Sequence, residues 1–200
     1  DYASGTGSAT LNFSYIISNG ESSADLDYVG TTSLVLNGGT IKDAATNNAD
    51  LTLPEPDSTG SLAATKDIVV DGYPPTVTAV SSSTQDGTYN IGDLVAITVT
   101  FNENVMVTGS PQLTLETGAT DAIASYTSGT GTTTLTFNYN VGLGHENSDL
   151  EYNSTNALAL NSGTIVDAAG NNVTLTLPEI GGTGSLANNK ALMIDGVVPT

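Results

Sequence analysis

Short runs of alternating apolar and polar residues recur along the chain, and they predict β-strands throughout. In residues 132–139 the side chains of Leu135, Phe137 and Tyr139 fall at every second position, so they share one face of a strand. Residues 94–101 are rich in β-branched side chains, which favour extended backbone. Turn residues separate these runs, and we find no helical apolar stripe of ten residues or more. The pattern therefore indicates an all-β protein.

The same alternation predicts further strands in the second part of the chain. They cover residues 77–80, 105–107, 112–115, 122–126, 150–152, 158–160, 173–177 and 191–194. Residues 102–104 (Asn-Glu-Asn) interrupt the apolar pattern and predict a turn. Strands of this number and length within 124 residues are typical of an antiparallel β-sandwich.

An internal repeat defines the domain organisation. Residues 1–76 align with residues 125–200 without a gap, at a constant offset of 124, and 40 of the 76 pairs are identical. A period of this length suits a whole domain. We therefore expect residues 77–200 to be one complete repeat of 124 residues and residues 1–76 to be the C-terminal part of another. The early strands of that partial repeat would lie upstream of Asp1 or come from a neighbouring copy by strand addition.

The composition narrows the possible partners. The chain has 21 acidic residues and 3 lysines, with a net charge of −18. This excess excludes nucleic acid as a partner, because phosphate binding needs basic residues, and it argues against docking on anionic lipid. Acidic residues in such number repel one another unless a cation neutralises them, and oxygen ligands favour Ca²⁺. High charge also fits disorder, but 38% of the residues are hydrophobic and alternate in strand-like runs.

Two absences from the sequence bear on stabilisation and on membranes. The chain has no cysteine, so disulfides do not stabilise it and metal or packing must do so. No segment approaches 18 consecutive apolar residues, so we expect no membrane insertion.

Four sequence phrases resemble the bacterial immunoglobulin-like repeats of large extracellular adhesins and related surface proteins. They are Val-Thr-Phe-Asn-Glu-Asn-Val at 99–105, Pro-Gln-Leu-Thr-Leu-Glu-Thr-Gly at 111–118, Asp-Ala-Ala-Gly-Asn at 167–171, and Asp-Gly-x-x-Pro-Thr at 71–76 and 195–200. The resemblance implies tandem immunoglobulin-like antiparallel β-sandwich domains of a secreted, extracellular surface protein. In that family the domains are non-catalytic extender modules, and calcium at the joints stiffens the string. The first repeat departs from the loop pattern, since Thr46 stands where Gly170 stands in the second.

The topology of such a sandwich suggests where calcium would bind. The loop of residues 167–172 precedes the penultimate predicted strand, so it is expected at the pole where the chain leaves the domain. The loop of residues 43–48 has the same place in the first repeat, and the turn at residues 102–104 is expected at the opposite pole, where the chain enters. At the joint, carboxylate and amide oxygens would therefore converge into a calcium site. This predicted site comprises Asp43, Asn47, Asp71 and Glu103.

An equivalent set is predicted at the next joint, formed by Asp167, Asn171 and Asp195. The alternative is that Asp, Asn and Gly in these short loops serve ordinary turn chemistry and bind no metal. Both interpretations fit the sequence.

Other acidic residues are weaker candidates. Asp25 and Asp27, like Asp149 and Glu151, place two acids on one strand face, which is typical of a solvated edge that discourages aggregation. Two further acids, Asp86 and Asp93, flank a predicted turn.

The sequence offers no catalytic constellation. The single histidine, His145, is not repeated, because its counterpart in the first repeat is Glu21. No nucleophile, base and orienting residue are marked as a set, so we do not expect an enzyme.

The predicted function is mechanical. The chain would serve as a calcium-stiffened extender whose partners are the neighbouring repeats of the same chain. One alternative is a subunit of an extracellular fibre that shares strands or faces with other copies. Another is a carbohydrate-binding module, which would need an exposed strip of aromatic side chains on one sheet.

Overall fold

The computed structural model describes residues 1–199, so Thr200, which ends the second predicted joint, lies outside the described residues. The chain forms two compact units, Asp1–Tyr73 and a second unit that begins at Pro74. This boundary lies three residues before the one that the repeat suggested. The two helices of the described chain have four residues each, and neither has the length or apolar character needed to cross a bilayer.

The first unit contains little regular structure. Its elements are β1 (Tyr2–Ser4), β2 (Asn12–Phe13), β3 (Ser22–Ser23), the one-turn helix α1 (Leu62–Thr65) and β4 (Val70–Asp71). Strand β1 pairs antiparallel with β2, and β3 pairs antiparallel with β4. Among the described residues of this unit, Val70 is the one hydrophobic side chain that is fully buried. The first unit therefore lacks a core of its own.

The second unit is built from strands and one helical turn. Its elements are β5 (Val77–Ser82), β6 (Gly87–Asn90), β7 (Leu94–Thr108), β8 (Gln112–Glu116), β9 (Ala122–Ser128), β10 (Thr132–Asn140), β11 (Glu146–Asn147), β12 (Glu151–Tyr152), β13 (Leu158–Ala159), β14 (Thr164–Val166), α2 (Leu186–Asn189) and β15 (Leu192–Asp195). The larger sheet has the order β12-β8-β9-β10-β7-β14, with β13 also paired to β8 and β5 to β7. The smaller sheet has the order β11-β15-β6. Buried side chains of both sheets form one hydrophobic cluster, and the all-β prediction is confirmed.

The alternating pattern explains the centre of the larger sheet. Strand β10 lies between β7 and β9, and its inward side chains face those of β7 across the ladder. Leu135 pairs with Val99, and Phe137 pairs with Ile97. All four side chains are fully buried, because every second residue of each strand points to the same face.

Two local predictions are wrong. The turn expected at residues 102–104 lies inside the continuous strand β7. Strand β10 pairs Thr132 with Val105 but Thr134 with Thr100, so β7 carries extra residues there as a bulge that needs no turn. Residues 173–177 do not form a strand, and Thr174 makes an isolated β-bridge with Thr76. The alternating pattern of these residues reports burial on one side of the chain and does not report strand pairing. Strand β15 runs parallel to β6 in the smaller sheet.

Candidate functional site

The loop after β14 is closed by Asp167 and Asn171. Oδ1 of Asp167 accepts the backbone N–H of Asn171 at 2.8 Å, and Oδ2 accepts the side-chain amide of Asn171 at 2.8 Å. The backbone N–H of Asp167 in turn donates to the carbonyl of Asn171 at 3.1 Å. Gly170 takes a positive φ of 91°, which glycine adopts without steric cost. Asp167 is buried, and its two oxygens retain further acceptor sites beyond those that Asn171 uses.

The first unit repeats this loop with Asp43 and Asn47. Oδ1 of Asp43 accepts the backbone N–H of Asn47, and Oδ2 accepts its side-chain amide, both at 2.8 Å. These bonds to Asn47 hold the pKa of the Asp43 carboxyl below its ordinary value. The hydrogen bonds are the same as in the second unit although Thr46, with φ of 70°, replaces the glycine. A β-branched residue rarely adopts such a φ, so the aspartate–asparagine pair holds a strained backbone in place.

Within the second unit, the structure brings Glu103 and Asp167 together. Carboxylate oxygens of the two residues lie within 4.8 Å of each other. The two residues were expected at opposite poles of the domain, and that expectation is wrong. Because β14 pairs with the end of β7, Val166 lies opposite Met106 and the following loop lies near the bulge that contains Glu103. Glu103 is half-buried, so this acidic pair lies partly shielded from water.

Two predicted ligands lie at strand ends. In the first unit Asp71 ends β4 opposite Ser22, and its Oδ1 accepts the backbone N–H of Tyr73 at 3.0 Å. Asp195 ends β15 in the second unit, and its Oδ1 accepts the backbone N–H of Val197 at 3.3 Å. Each aspartate thus stabilises the Asp-Gly turn that follows it. These bonds fit turn chemistry, and a metal at these positions remains a prediction.

Glu151 has a structural role that its sequence pattern did not predict. Its side chain is buried, with Oε1 accepting the N–H of Leu186 at 3.1 Å and Oε2 accepting the N–H groups of Gly181 and Ala187 at 3.3 and 3.2 Å. These donors belong to the first turn of α2 and the loop before it, where backbone N–H groups have no helical partner. The expectation of a solvated edge is therefore wrong for Glu151. The counterpart of Glu151 in the first repeat is also acidic, Asp27, and this shared acid was the signal available in the sequence.

His145 also has a structural partner. Its Nδ1 lies 2.9 Å from the hydroxyl of Tyr139 and accepts the backbone N–H of Gly142 at 3.0 Å. In the first unit Glu21 takes this place, accepting the hydroxyl of Tyr15 at 2.8 Å and the N–H of Ser18 at 2.6 Å. The two residue types share an acceptor role, which explains why histidine is not repeated.

The remaining acidic candidates have local partners too. Asp86 forms an ion pair with Lys190 at 3.0 Å, and this lysine lowers the pKa of the Asp86 carboxyl. Oδ2 of Asp93 accepts the backbone N–H of Asn90 at 2.8 Å and closes the turn after β6.

Comparison with known proteins identifies the family. The family model described as a bacterial Ig-like domain matches residues 71–178, which is more than half of the chain. No curated protein and no solved structure matches the chain. Domains of this family commonly occur in bacterial surface proteins and are typically not enzymes. The chain belongs to the bacterial Ig-like domain family.

Proposed function

We propose that the chain is an extender module of a secreted bacterial surface protein, in which tandem Ig-like sandwiches are stiffened by Ca²⁺ at the joints. Family membership supports the surface-module part of this proposal. The observation that carries the calcium part is the proximity of Glu103 and Asp167, whose carboxylate oxygens lie within 4.8 Å.

The electrostatics of that pair favour a cation. Two like charges at this separation repel, and partial burial weakens the screening that water would provide. The net charge of −18 adds to the repulsion. A divalent ion with oxygen ligands would relieve it, and Ca²⁺ accepts carboxylates together with carbonyls and water in flexible geometry. We assign Glu103 and Asp167 as two ligands, and Asp71 remains the linker ligand predicted from the sequence.

This assignment revises the grouping drawn from the sequence. Asp43 and Asn47 are the counterparts of Asp167 and Asn171 in the first repeat, so they would not belong to the site formed by Glu103 and Asp167. Asp195 is the counterpart of Asp71 and would serve a following joint. Each joint would then use three acidic residues: one from the loop after β14, one from the bulge of β7 and one from the Asp-Gly linker.

A carbohydrate-binding role gains no support from the exposed aromatic residues. Tyr2, Phe13 and Tyr15 are about half exposed, but their counterparts Tyr126, Phe137 and Tyr139 pack against or within the core of the second unit. The exposed rings therefore occupy positions that belong to the hydrophobic core in the second unit, and they do not form a flat platform for sugars.

The proposed calcium site can be tested by isothermal titration calorimetry on the full chain, with small-angle scattering in parallel. We expect binding at millimolar or lower Ca²⁺ and a narrower range of inter-unit distances. Glu103→Gln and Asp71→Asn should each weaken binding at least about tenfold, because each removes one charged ligand. Asp149→Asn is the matched control, because this substitution removes the same charge from an exposed side chain outside the proposed site. No heat of binding, or equal weakening by all three variants, would refute the site.

A further inference from the structure

Glycine directly follows asparagine or aspartate at five places in this chain. In such a pair the glycine backbone nitrogen can attack the side-chain carbonyl carbon of the preceding residue, because glycine has no Cβ to obstruct the approach. The attack closes a succinimide ring and releases ammonia from asparagine or water from aspartate. Reactivity in the folded chain therefore depends on what holds the attacking nitrogen. The pairs are Asn19-Gly20, Asn37-Gly38, Asp71-Gly72, Asp86-Gly87 and Asp195-Gly196.

Four of the five glycine nitrogens donate a backbone hydrogen bond to a residue distant in the sequence. Such a nitrogen has to break its bond before it can attack, and the same bond fixes the backbone around it. These four pairs are therefore protected in the folded chain. The bonds run from Gly20 to Gly72 (2.9 Å), from Gly72 to Glu21 (2.8 Å), from Gly87 to Ala191 (3.0 Å) and from Gly196 to His145 (2.6 Å).

The pair Asn37-Gly38 is the exception. Both residues are exposed, and no hydrogen bond among the described residues uses the N–H of Gly38 or the side-chain amide of Asn37. The two residues take positive φ values of 44° and 83°, as the central residues of a type I′ turn do. The N–H of Gly39 donates to the carbonyl of Leu36 at 2.7 Å and closes this turn. Since this one exposed bond closes the turn, the backbone rotation that brings the Gly38 nitrogen onto the Asn37 side chain costs little.

The free nitrogen is a property of the turn and recurs in the second unit. There Asn161 and Ser162 take φ values of 47° and 64°, and the N–H of Gly163 donates to the carbonyl of Leu160 at 2.8 Å. Among the described residues, no hydrogen bond uses the N–H of Ser162. Two features make this copy less reactive: serine replaces the attacking glycine, and the Asn161 amide donates to the carbonyl of Ser110 at 3.2 Å.

We propose that Asn37 is a site of spontaneous deamidation. The Gly38 nitrogen gives its proton to hydroxide and attacks Cγ of Asn37, so that a new N–C bond forms and the bond from Cγ to the amide nitrogen breaks with release of ammonia. Water then opens the succinimide. Opening at Cγ gives aspartate, and opening at the backbone carbonyl carbon gives isoaspartate, in which the chain runs through the side chain. The reaction consumes water and needs no other reactant.

The products change both the charge and the geometry of the turn. Either product adds a negative charge to a chain whose net charge is −18. Isoaspartate also adds one carbon atom to the backbone between Leu36 and Gly39, so their hydrogen bond no longer closes the same ring. An exposed isoaspartate is the class of substrate that isoaspartyl methyltransferases recognise, since these enzymes methylate its free α-carboxylate. The modified turn would therefore be accessible to such an enzyme.

The test follows the full chain by peptide mapping and mass spectrometry during incubation in mildly alkaline buffer. One sample is folded, and the other is unfolded in guanidinium chloride. We expect Asn37 to be lost at rates within about threefold of each other in the two samples, because folding does not hold its attacking nitrogen. Asn19 should be lost at least about tenfold more slowly in the folded sample than in the unfolded one, since the N–H of Gly20 is held. Methylation by an isoaspartyl methyltransferase measures the isoaspartate formed at position 37.

The repeat supplies matched substitutions. Gly38→Ser gives the first turn the residue type that the second turn already holds at positive φ, so the turn should be retained. It should slow the loss of Asn37 at least about tenfold, because a Cβ obstructs the attack. Ser162→Gly should in turn create a new reactive pair at Asn161.

Three outcomes would overturn the proposal. One is an Asn37 that is stable in the folded chain and is lost only in guanidinium chloride. Another is equal loss of Asn19 and Asn37 in the folded sample, which would show that the hydrogen bond of Gly20 gives no protection. The third is a Ser162→Gly chain in which Asn161 stays intact. Loss of Asn37 in the folded chain, with Asn19 retained and with slowing by Gly38→Ser, supports the proposal.

Discussion

The hydroxyl of Tyr139 lies 2.9 Å from Nδ1 of His145, and the two rings stack with their centroids 5.7 Å apart. The N–H of Gly142 donates to the same nitrogen, so Nδ1 carries no proton and the Tyr139 hydroxyl is a donor as well. Glu21 accepts the equivalent two bonds in the first unit. The position therefore requires an acceptor, and either side chain supplies it.

This acceptor requirement predicts the outcome of two substitutions. His145→Glu should retain most of the stability of the second unit, because a carboxylate can accept both bonds as Glu21 does. His145→Leu should lower the free energy of unfolding by about 1–3 kcal/mol, since a buried hydroxyl and a backbone N–H lose their acceptor. Thermal unfolding followed by circular dichroism distinguishes them, and equal losses in both variants would contradict the acceptor role.

Tyr139 should also make the second unit sensitive to alkali. Burial raises the pKa of Tyr139 to about 12 from an ordinary value of 10.0. A group whose pKa is raised on folding contributes stability that is complete below the unfolded value and is lost as the pH rises toward the folded value. Stability should therefore fall between about pH 10 and pH 12. Tyrosinate absorbance at alkaline pH, recorded together with circular dichroism, measures this loss.

Tyr139→Phe is the control for the alkaline loss, because it removes the ionisable hydroxyl and keeps the ring. The variant should be less stable at neutral pH, since His145 loses its donor. Its stability should nevertheless fall less steeply above pH 10. An unchanged slope would show that another group governs the alkaline transition.

Thr46 and Gly170 occupy the same positive-φ position of the two aspartate–asparagine loops, so exchanging the residue types tests whether threonine is strained there. Thr46→Gly should relieve a strained φ and slow the exchange of the Asn47 amide, by an amount equivalent to about 1 kcal/mol. Gly170→Thr should destabilise the second unit by about 1–2 kcal/mol, because it introduces the same strain. Hydrogen exchange and thermal unfolding provide the measurements. Opposite signs are expected, and a stabilising Gly170→Thr would refute the strain argument.

Glu151→Gln should destabilise the second unit strongly. The carboxylate of Glu151 accepts hydrogen bonds from three backbone N–H groups around α2. In glutamine one of the two oxygens is replaced by an NH₂ group, which cannot accept these hydrogen bonds. We expect the free energy of unfolding to fall by about 3 kcal/mol, because hydrogen bonds to a charged acceptor are strong and the side chain is buried. Chemical denaturation measures the loss. The control is Glu116→Gln, on an exposed side chain, and a similar effect there would show that charge and not position matters.

The pKa of Asp43 gives a test at acidic pH. Its folded-state pKa is lowered by Asn47, so its contribution is present above the ordinary value of 3.8 and is lost as the pH falls through the folded value. Asn47→Ala should raise the pKa of Asp43 toward 3.8. A carbon-detected NMR titration of the Asp43 carboxyl follows this directly. If the pKa did not move, the bonds to Asn47 would not be its cause.

Local patterns predicted much of the fold. Alternation located the strands around Leu113, Phe137 and Ile194. The Asp-x-x-x-Asn loops were also visible as turn chemistry. These features depend on neighbouring residues in the chain, so a sequence can display them.

The predictions that failed depend on distant residues. Residues 102–104 looked like a turn because polar residues interrupt an apolar run, but pairing on both sides of β7 absorbs them as a bulge. Glu151 looked like a surface acid, yet the loop and helix some thirty residues later fold over it. In both cases long-range packing overrode the local signal.

The all-β class, the repeat and its offset, and the residue types that close each loop can be read from the sequence. Long-range packing is needed to bring Glu103 beside Asp167, to set β15 parallel to β6, and to leave Phe13 exposed where Phe137 is buried. Alternation assigns a side chain to one face of a strand, whereas burial depends on which other strand covers that face. Identical residues can therefore form a core in one unit and an open surface in the other.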